Sequence, residues 1–126
     1  MVITLENIGD FSLQEVFDQC VTHLLAQNQR CYGIYEGNCV FRRVEEDGTV
    51  TRCAVGCFIS DSMYTEDFEE RSFYIIAEEL FNVTIAEDAY SLLRDLQNVH
   101  DFKLPPQWSE SLQTVAHGYD LVFKGA

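Results

Sequence analysis

The sequence predicts an α+β protein, and three observations support that prediction. A helix-start motif and an apolar stripe lie near the N-terminus, two β-prone runs joined by Asp-Gly lie in the middle, and helical patterns return from residue 72 onward. Strands and helices are therefore segregated along the chain, as in α+β proteins, rather than alternating as in a parallel βαβ sheet. With 126 residues and 47% apolar residues, the chain suits one compact domain spanning 1–126.

The first predicted helix has a well-specified start. Ser12 and Glu15 form a capping box, and Phe11 and Val16 occupy the positions of a hydrophobic staple. The residues that then recur at helical spacing are Leu13, Val16, Phe17, Cys20, Val21, Leu24 and Leu25. This stripe predicts a helix with one face on a core, ending near Asn28. His23 lies off the stripe and is expected to be solvated.

The middle of the chain predicts a β-hairpin. The runs 39–44 and 50–55 are β-prone, and Asp47-Gly48 between them favours a two-residue type I′ turn. A third strand over 32–35 would complete a small sheet, because an isolated hairpin is marginal in water. Arg42, Arg43 and Arg52 lie together on this hairpin, but Arg42 and Arg43 must point to opposite faces, so a solvated face is favoured over a phosphate pocket.

The second half of the chain predicts helices. Apolar residues follow helical spacing over 72–81, and Thr84 to Glu87 reads as a second capping box that would begin the next helix. Pro105-Pro106 then forces a break. A last helix is expected over 107–117, with Gly118 as its stop.

The charge is strongly acidic, with 21 Asp and Glu against 8 Lys and Arg and a net charge of −13. Nucleic acid and anionic membrane surfaces are polyanions, so both are unfavourable direct partners. A partner with a basic surface is favoured instead. The alternative is that the acidity only keeps the protein in solution.

The negative charge is concentrated between Asp61 and Asp88, where Arg71 is the only basic residue. In an α-helix, Glu66, Glu69 and Glu70 would share a face, which favours a partner-binding role for the segment. The candidate partner-binding residues are Asp61, Glu66, Asp67, Glu69, Glu70, Glu78 and Glu79.

The five cysteines do not form a recognisable site. They are Cys20, Cys31, Cys39, Cys53 and Cys57. An odd count and a reducing compartment favour free thiols, and the gaps between the last four do not fit the paired C-x2-C knuckles of structural zinc sites. We therefore predict buried structural cysteines, no metal and no cofactor. Gly56, between Val55 and Cys57, indicates close backbone packing as readily as a site.

No catalytic motif accompanies these thiols. His23, His100 and His117 are available as bases, but none lies in a nucleophile motif, and a glycine-rich phosphate loop is also missing from the sequence. The pair His100-Asp101 is expected to be a cationic cap at a helix C-terminus. No catalytic residue is predicted.

Several short motifs that touch most of the chain share their pattern with one group of proteins. They are 13–18, 23–25, Cys39 to Arg42, Asp47-Gly48, 53–59 with Asp61 and Tyr64, and Leu96 with His100-Asp101. In these motifs the chain resembles small uncharacterised acidic proteins encoded by tailed bacteriophages and prophages. The resemblance implies a viral accessory origin and transfers no catalytic residue. Ser60, where proline is usual in that group, and the acidic run 66–70 depart from the pattern.

Three functions follow as hypotheses. The first is a non-enzymatic phage accessory protein that binds a basic host protein through its acidic surface, as a nucleic-acid mimic that inhibits a defence or regulatory system. The second is a small thiol- or zinc-dependent enzyme using Cys39, Cys53 and Cys57, and the third is a phage structural or assembly component. The N-terminus lacks a signal-peptide pattern and no apolar run is long enough to span a membrane, so we expect the protein to be located in the host cytoplasm. A homodimer is a further possibility for its oligomeric state.

Overall fold

The computed structural model describes residues 2–32 and 40–124, and of Glu70 the backbone only. Four α-helices and one β-hairpin occur in this part of the chain: α1 (Leu13–Gln27), β1 (Arg42–Val44), β2 (Val50–Arg52), α2 (Phe73–Phe81), α3 (Glu87–Phe102) and α4 (Trp108–Gly118). Short 3-10 helices lie at Ile8–Asp10, Gly56–Phe58, Glu66–Glu70 and Pro105–Gln107. The order is helix, hairpin, helices, which confirms the α+β prediction.

Helix α1 begins and ends as predicted. The Ser12 hydroxyl accepts the Glu15 N–H at 3.1 Å while the Glu15 carboxylate accepts the Ser12 N–H at 3.0 Å, which completes the capping box. At the other end Asn28 adopts a left-handed conformation, with φ of 48°, and its N–H donates to the Leu24 carbonyl group. Val16, Phe17, Cys20, Val21 and Leu24 are buried, as the stripe predicts.

The hairpin is confirmed, but its turn is not type I′. Gly48, and not Asp47, has a positive φ angle, at 89°, and the Gly48 N–H donates to the Glu45 carbonyl oxygen at 3.0 Å. The Glu45 N–H donates to Thr49 O at 2.7 Å, so the loop is longer than two residues. The Asp47 carboxylate accepts both the N–H and the hydroxyl of Thr49, so the Asp47 side chain bonds to the backbone two residues on, as in an Asx-turn.

The strands pair antiparallel with Arg42 opposite Arg52 and Val44 opposite Val50. Residues 33–39 are outside the described part of the chain, and with them most of the third predicted strand and the thiol of Cys39.

Helix α2 begins where the spacing predicts, because the Ser72 hydroxyl accepts the Ile75 N–H at 3.3 Å. The second capping box is wrong: α3 starts at Glu87 after Ala86, not at Thr84. Ile85 is buried ahead of the helix, and an extended connection places its side chain in the core, so tertiary packing prevails over the local motif.

Helix α4 starts one residue after the predicted position and ends at Gly118. The pair Pro105-Pro106 opens a 3-10 turn that leads into it, and Trp108 is fully buried. Helices α1, α3 and α4 pack together, with the turn Gly56–Phe58 against α1, and the hairpin lies beside this core. No helix in the described residues is long and apolar enough to cross a membrane.

Candidate partner-binding surface

Asp61, the first predicted binding residue, is bound to the hairpin. Its carboxylate accepts a hydrogen bond from Arg42 Nε at 3.0 Å and another from the Arg52 guanidinium. Because Arg42 and Arg52 are opposite each other on one hairpin face, their like charges would otherwise repel. The hydrogen bonds from Arg52 and Arg42 lower the pKa of Asp61, so this carboxylate stays charged near neutral pH and offsets part of the repulsion between the two guanidinium groups. Asp61 is therefore first of all a structural anchor.

Glu69 is likewise used inside the molecule. Its carboxylate accepts the backbone N–H groups of Phe41 at 2.9 Å and Arg42 at 3.3 Å, and also the Tyr64 hydroxyl. Burial and the Glu69 carboxylate raise the pKa of Tyr64, and the Arg42 guanidinium lies 5.5 Å from its ring centroid. Glu69 thus caps β1 from a segment 28 residues away.

The acidic run 66–70 is a 3-10 helix and not the α-helix that would align Glu66, Glu69 and Glu70. The prediction that these three carboxylates share one exposed face is therefore wrong for Glu69, which is half-buried against the hairpin. The side chain of Glu70 is outside the described structure.

Glu66 and Asp67 are exposed, as the partner-binding hypothesis requires. Between them and Glu69, the buried Phe68 makes edge-to-face contacts with Tyr64 at 5.9 Å and with Phe81 at 6.4 Å between ring centroids. Burial of Phe68 fixes the turn. The two carboxylates before it are thereby held outward.

Glu78 and Glu79 differ in exposure. Glu79 is exposed and pairs with Arg71 at 3.3 Å, whereas Glu78 is half-buried and accepts a hydrogen bond from the Tyr74 hydroxyl, which raises the pKa of Tyr74. Of these two residues, Glu79 is the exposed one, and its carboxylate is paired with Arg71. An exposed pair such as Arg71–Glu79 contributes little to stability.

The six arginines and Lys124 bind partners within the described part of the chain. Arg30 donates to the carbonyl oxygens of Asp101 and Lys103, and Arg43 donates to Tyr32 O. Among the described residues, the other ion pairs of Arg and Lys with carboxylates, besides those at Asp61 and Arg71, are Arg43–Glu45, Arg94–Asp95 and Lys124–Asp18. Carboxylates therefore dominate the exposed charge, including Glu6, Asp10, Glu46, Glu66, Asp67, Glu87, Asp88 and Glu110.

The four described cysteines are free and buried. The Cys31 thiol donates to Thr51 O at 3.3 Å, and burial raises its pKa to about 11. Burial also raises the pKa of Cys53 and Cys57 well above the usual range of a thiol. These groups are protonated near neutral pH, which disfavours both nucleophilic attack and metal ligation. Within residues 2–32 and 40–124, no cluster of three or more His, Cys, Asp or Glu could hold a metal ion.

The prediction for His100 is wrong, because this side chain is fully buried rather than a charged cap. Its Nδ1–H donates to Asp101 at 2.8 Å and its Nε2 accepts the Cys31 backbone N–H at 3.0 Å, a pattern that requires a neutral imidazole. The ring stacks on Trp108 with centroids 5.7 Å apart. The position of His100, four residues after Leu96 on the apolar stripe of α3, could have indicated burial.

The expectation that His23 is solvated is also wrong. It is half-buried, and its Nε2 lies 2.9 Å from Arg52 O, so the ring is not solvated. Burial lowers the pKa of His23 from 6.5. Neither His23 nor His100 shows a hydrogen bond to a thiol, so the structure does not assemble a cysteine–histidine pair from the described residues.

A groove of about 580 Å³ lies between α3 and α4, away from every predicted binding residue. Its lining is mixed, from Val99 and Val115 to Asp95, Lys103 and Glu110, and includes no cysteine or histidine. The groove therefore provides neither a thiol nucleophile nor a histidine base.

Comparison with known proteins adds no relative. No family model, curated protein or solved structure matches the chain.

Proposed function

We propose that this protein is a non-enzymatic accessory protein of bacteriophage origin that binds a basic host protein through an acidic surface. The observation that supports the proposal most directly is the placement of Glu66 and Asp67. Both carboxylates are exposed on a turn that the buried Phe68 holds in place. A net charge of −13 makes a basic partner favourable.

The partner's binding surface would be one that normally holds nucleic acid, in a defence or regulatory protein of the host cytoplasm. Such a surface presents Lys and Arg to phosphate groups. Exposed carboxylates can occupy the same positions. Charge complementarity of this kind accelerates association and makes it sensitive to salt.

The cysteine geometry supports binding over thiol chemistry. Cys31, Cys53 and Cys57 are buried with raised pKa values, so a reactive thiolate is disfavoured. The buried His100 uses both ring nitrogens in hydrogen bonds to other groups. A base for thiol activation is therefore not offered by this histidine.

The structure changes which residues should be altered in a test. Asp61 and Glu69 stabilise the hairpin, so their replacement would confuse binding with folding. Glu66→Lys/Asp67→Lys changes exposed carboxylates only. Asp10→Lys/Glu46→Lys is the matched control, because it changes two other exposed carboxylates and alters the net charge equally.

The experiment is affinity capture from bacterial lysate at about 0.05 M salt, followed by elution with duplex DNA and, separately, with about 0.3 M salt. We expect the wild type and the Asp10→Lys/Glu46→Lys variant to capture a nucleic-acid-binding protein that DNA and salt both release. The Glu66→Lys/Asp67→Lys variant should lose it. Capture that DNA does not compete, or equal loss in both variants, would contradict the proposal.

A further inference from the structure

Helix α2 carries an apolar residue that the core does not cover. Leu80 follows Ile76 by four residues and Ala77 by three, so it continues the row that faces the core. Ile76 and Ala77 are fully buried, yet Leu80 is 48% exposed. The buried stripe of α2 thus extends beyond the core at the helix C-terminus.

Two more apolar side chains lie at this end of α2. Phe81 is partly buried and, with the exposed Met63, lines a cavity of about 30 Å³. Leu80 directly precedes Phe81 in the helix. We call Met63, Leu80 and Phe81 the α2-end patch.

Four exposed carboxylates are linked to the α2-end patch through the cavity, the helix or Phe68. Glu6 lines the same cavity as Met63 and Phe81, and Glu79, which pairs with Arg71 at 3.3 Å, precedes Leu80 in the helix. Glu66 and Asp67 come directly before Phe68, whose ring contacts Phe81. All four carboxylates belong to exposed residues. An apolar centre with a charged rim is the arrangement found in protein interfaces.

We propose that the α2-end patch is the docking site of the partner, and that the partner presents a cationic amphipathic segment. The apolar side chains of this segment would cover Leu80 and Met63, and its Lys or Arg side chains would face the four exposed carboxylates. The inference rests on the proposed function and specifies the chemistry of the partner. Charge selects this occupant, because a second copy of the chain would bring two acidic rims together, each on a molecule of charge −13.

The probes are two synthetic peptides of about 14 residues with equal numbers of lysines. One carries a leucine stripe at helical spacing, and the other has serine in place of each leucine. Leu80→Ser tests the patch, and Met63→Ser provides a second variant at a loop position. Phe102→Ser is the control, because Phe102 is 76% exposed at the far end of α3 and lies outside the patch.

We expect the leucine peptide to bind wild type about ten-fold more tightly than the serine peptide, as for burial of a few apolar groups. Leu80→Ser and Met63→Ser should remove most of this difference, and Phe102→Ser should preserve it. Circular dichroism and thermal unfolding verify that each variant is folded.

Three results would overturn the inference: equal affinity for both peptides, an equal effect of Phe102→Ser, or a wild-type dimer in sedimentation that Leu80→Ser dissociates. The proposed function would be tested separately by lysate capture. If Glu66→Lys/Asp67→Lys abolishes capture but Leu80→Ser leaves it intact, the acidic surface binds the partner and the α2-end patch does not.

Discussion

At Gly56 the backbone that follows β2 runs against the carbonyl group of Phe41. A Cβ atom at this position would lie 2.0 Å from Phe41 O, which already accepts the Cys53 N–H at 3.2 Å. From the sequence, Gly56 was compatible with either close backbone packing or a functional site. The structure supports close packing, since any larger residue must move β1 or the turn.

Replacing Gly56 with Ala is expected to lower the free energy of unfolding by about 1–3 kcal/mol, because the methyl group overpacks the contact with Phe41. Gly9→Ala is the matched control, since nothing lies within 4 Å of its Cβ position. It should stay within about 0.5 kcal/mol of wild type. Urea unfolding followed by Trp108 fluorescence measures both. Equal midpoints for the two variants would refute the close approach.

Glu69 shows why single residues of the acidic run could not be assigned from sequence. Its hydrogen-bond partners Phe41 and Arg42 are 27 to 28 residues away, so only the folded chain brings them together. Glu66, three residues earlier in the same run, is exposed. Residue type and local charge are the same at both positions.

Glu69→Ala should therefore destabilise the fold by about 1–3 kcal/mol, because the backbone N–H groups of Phe41 and Arg42 at the start of β1 lose their acceptor. Glu66→Ala should change the free energy of unfolding by no more than about 0.5 kcal/mol. The same urea titration distinguishes the two. If Glu69→Ala left the free energy of unfolding unchanged, the Glu69 carboxylate would not stabilise the hairpin, and Glu69 would again be a candidate partner-binding residue.

Among the elements, the helix starts show where local motifs suffice. Ser12 and Glu15 form the capping box that the local motif predicts, and the predicted α1 agrees with the structure. The Thr84 motif fails because burial of Ile85 requires an extended chain just before α3. The turn of the hairpin fails similarly, since the hydrogen bonds of Asp47 to Thr49 favour a longer loop.

Helix α1 is attached to β2 through polar contacts that the sequence did not reveal. The Gln27 side chain donates to Arg52 O at 2.9 Å and accepts the Arg52 N–H at 2.8 Å, and His23 Nε2 contacts the same carbonyl oxygen at 2.9 Å. An amide and an imidazole one turn apart thus pair with the strand end. Because His23 is titratable, we expect the stability of this helix–hairpin junction to depend on pH.

Burial lowers the pKa of His23, so the unfolded chain binds a proton there more readily than the folded chain. The contribution of neutral His23 is fully present above about pH 6.5, the unfolded pKa, and is lost as pH falls from there through the lower folded pKa. His23→Gln removes this titration. Thermal unfolding between pH 7.5 and 5 should show a smaller loss of stability in the variant than in wild type. Parallel curves would contradict the assignment.

For the whole molecule, the sequence predicted the α+β class and the acidic character, because both depend on composition and periodicity. The sequence could not show which carboxylates bind groups within the fold and which are exposed at the surface. Asp61 and Glu69 neutralise or cap groups of the hairpin, while Glu66 and Asp67 face outward. We therefore propose that one acidic segment both stabilises the hairpin and binds a basic partner, through different residues.

The most direct test is the affinity of the purified captured partner for wild type and for Glu66→Lys/Asp67→Lys, measured by titration calorimetry at about 0.05 M and about 0.3 M salt. We predict that the variant unfolds at the wild-type temperature, binds about ten-fold or more weakly at low salt, and loses less affinity as salt rises, because fewer charge contacts remain to be screened. A folded variant with wild-type affinity and the wild-type salt dependence would contradict the proposal that Glu66 and Asp67 bind the basic partner.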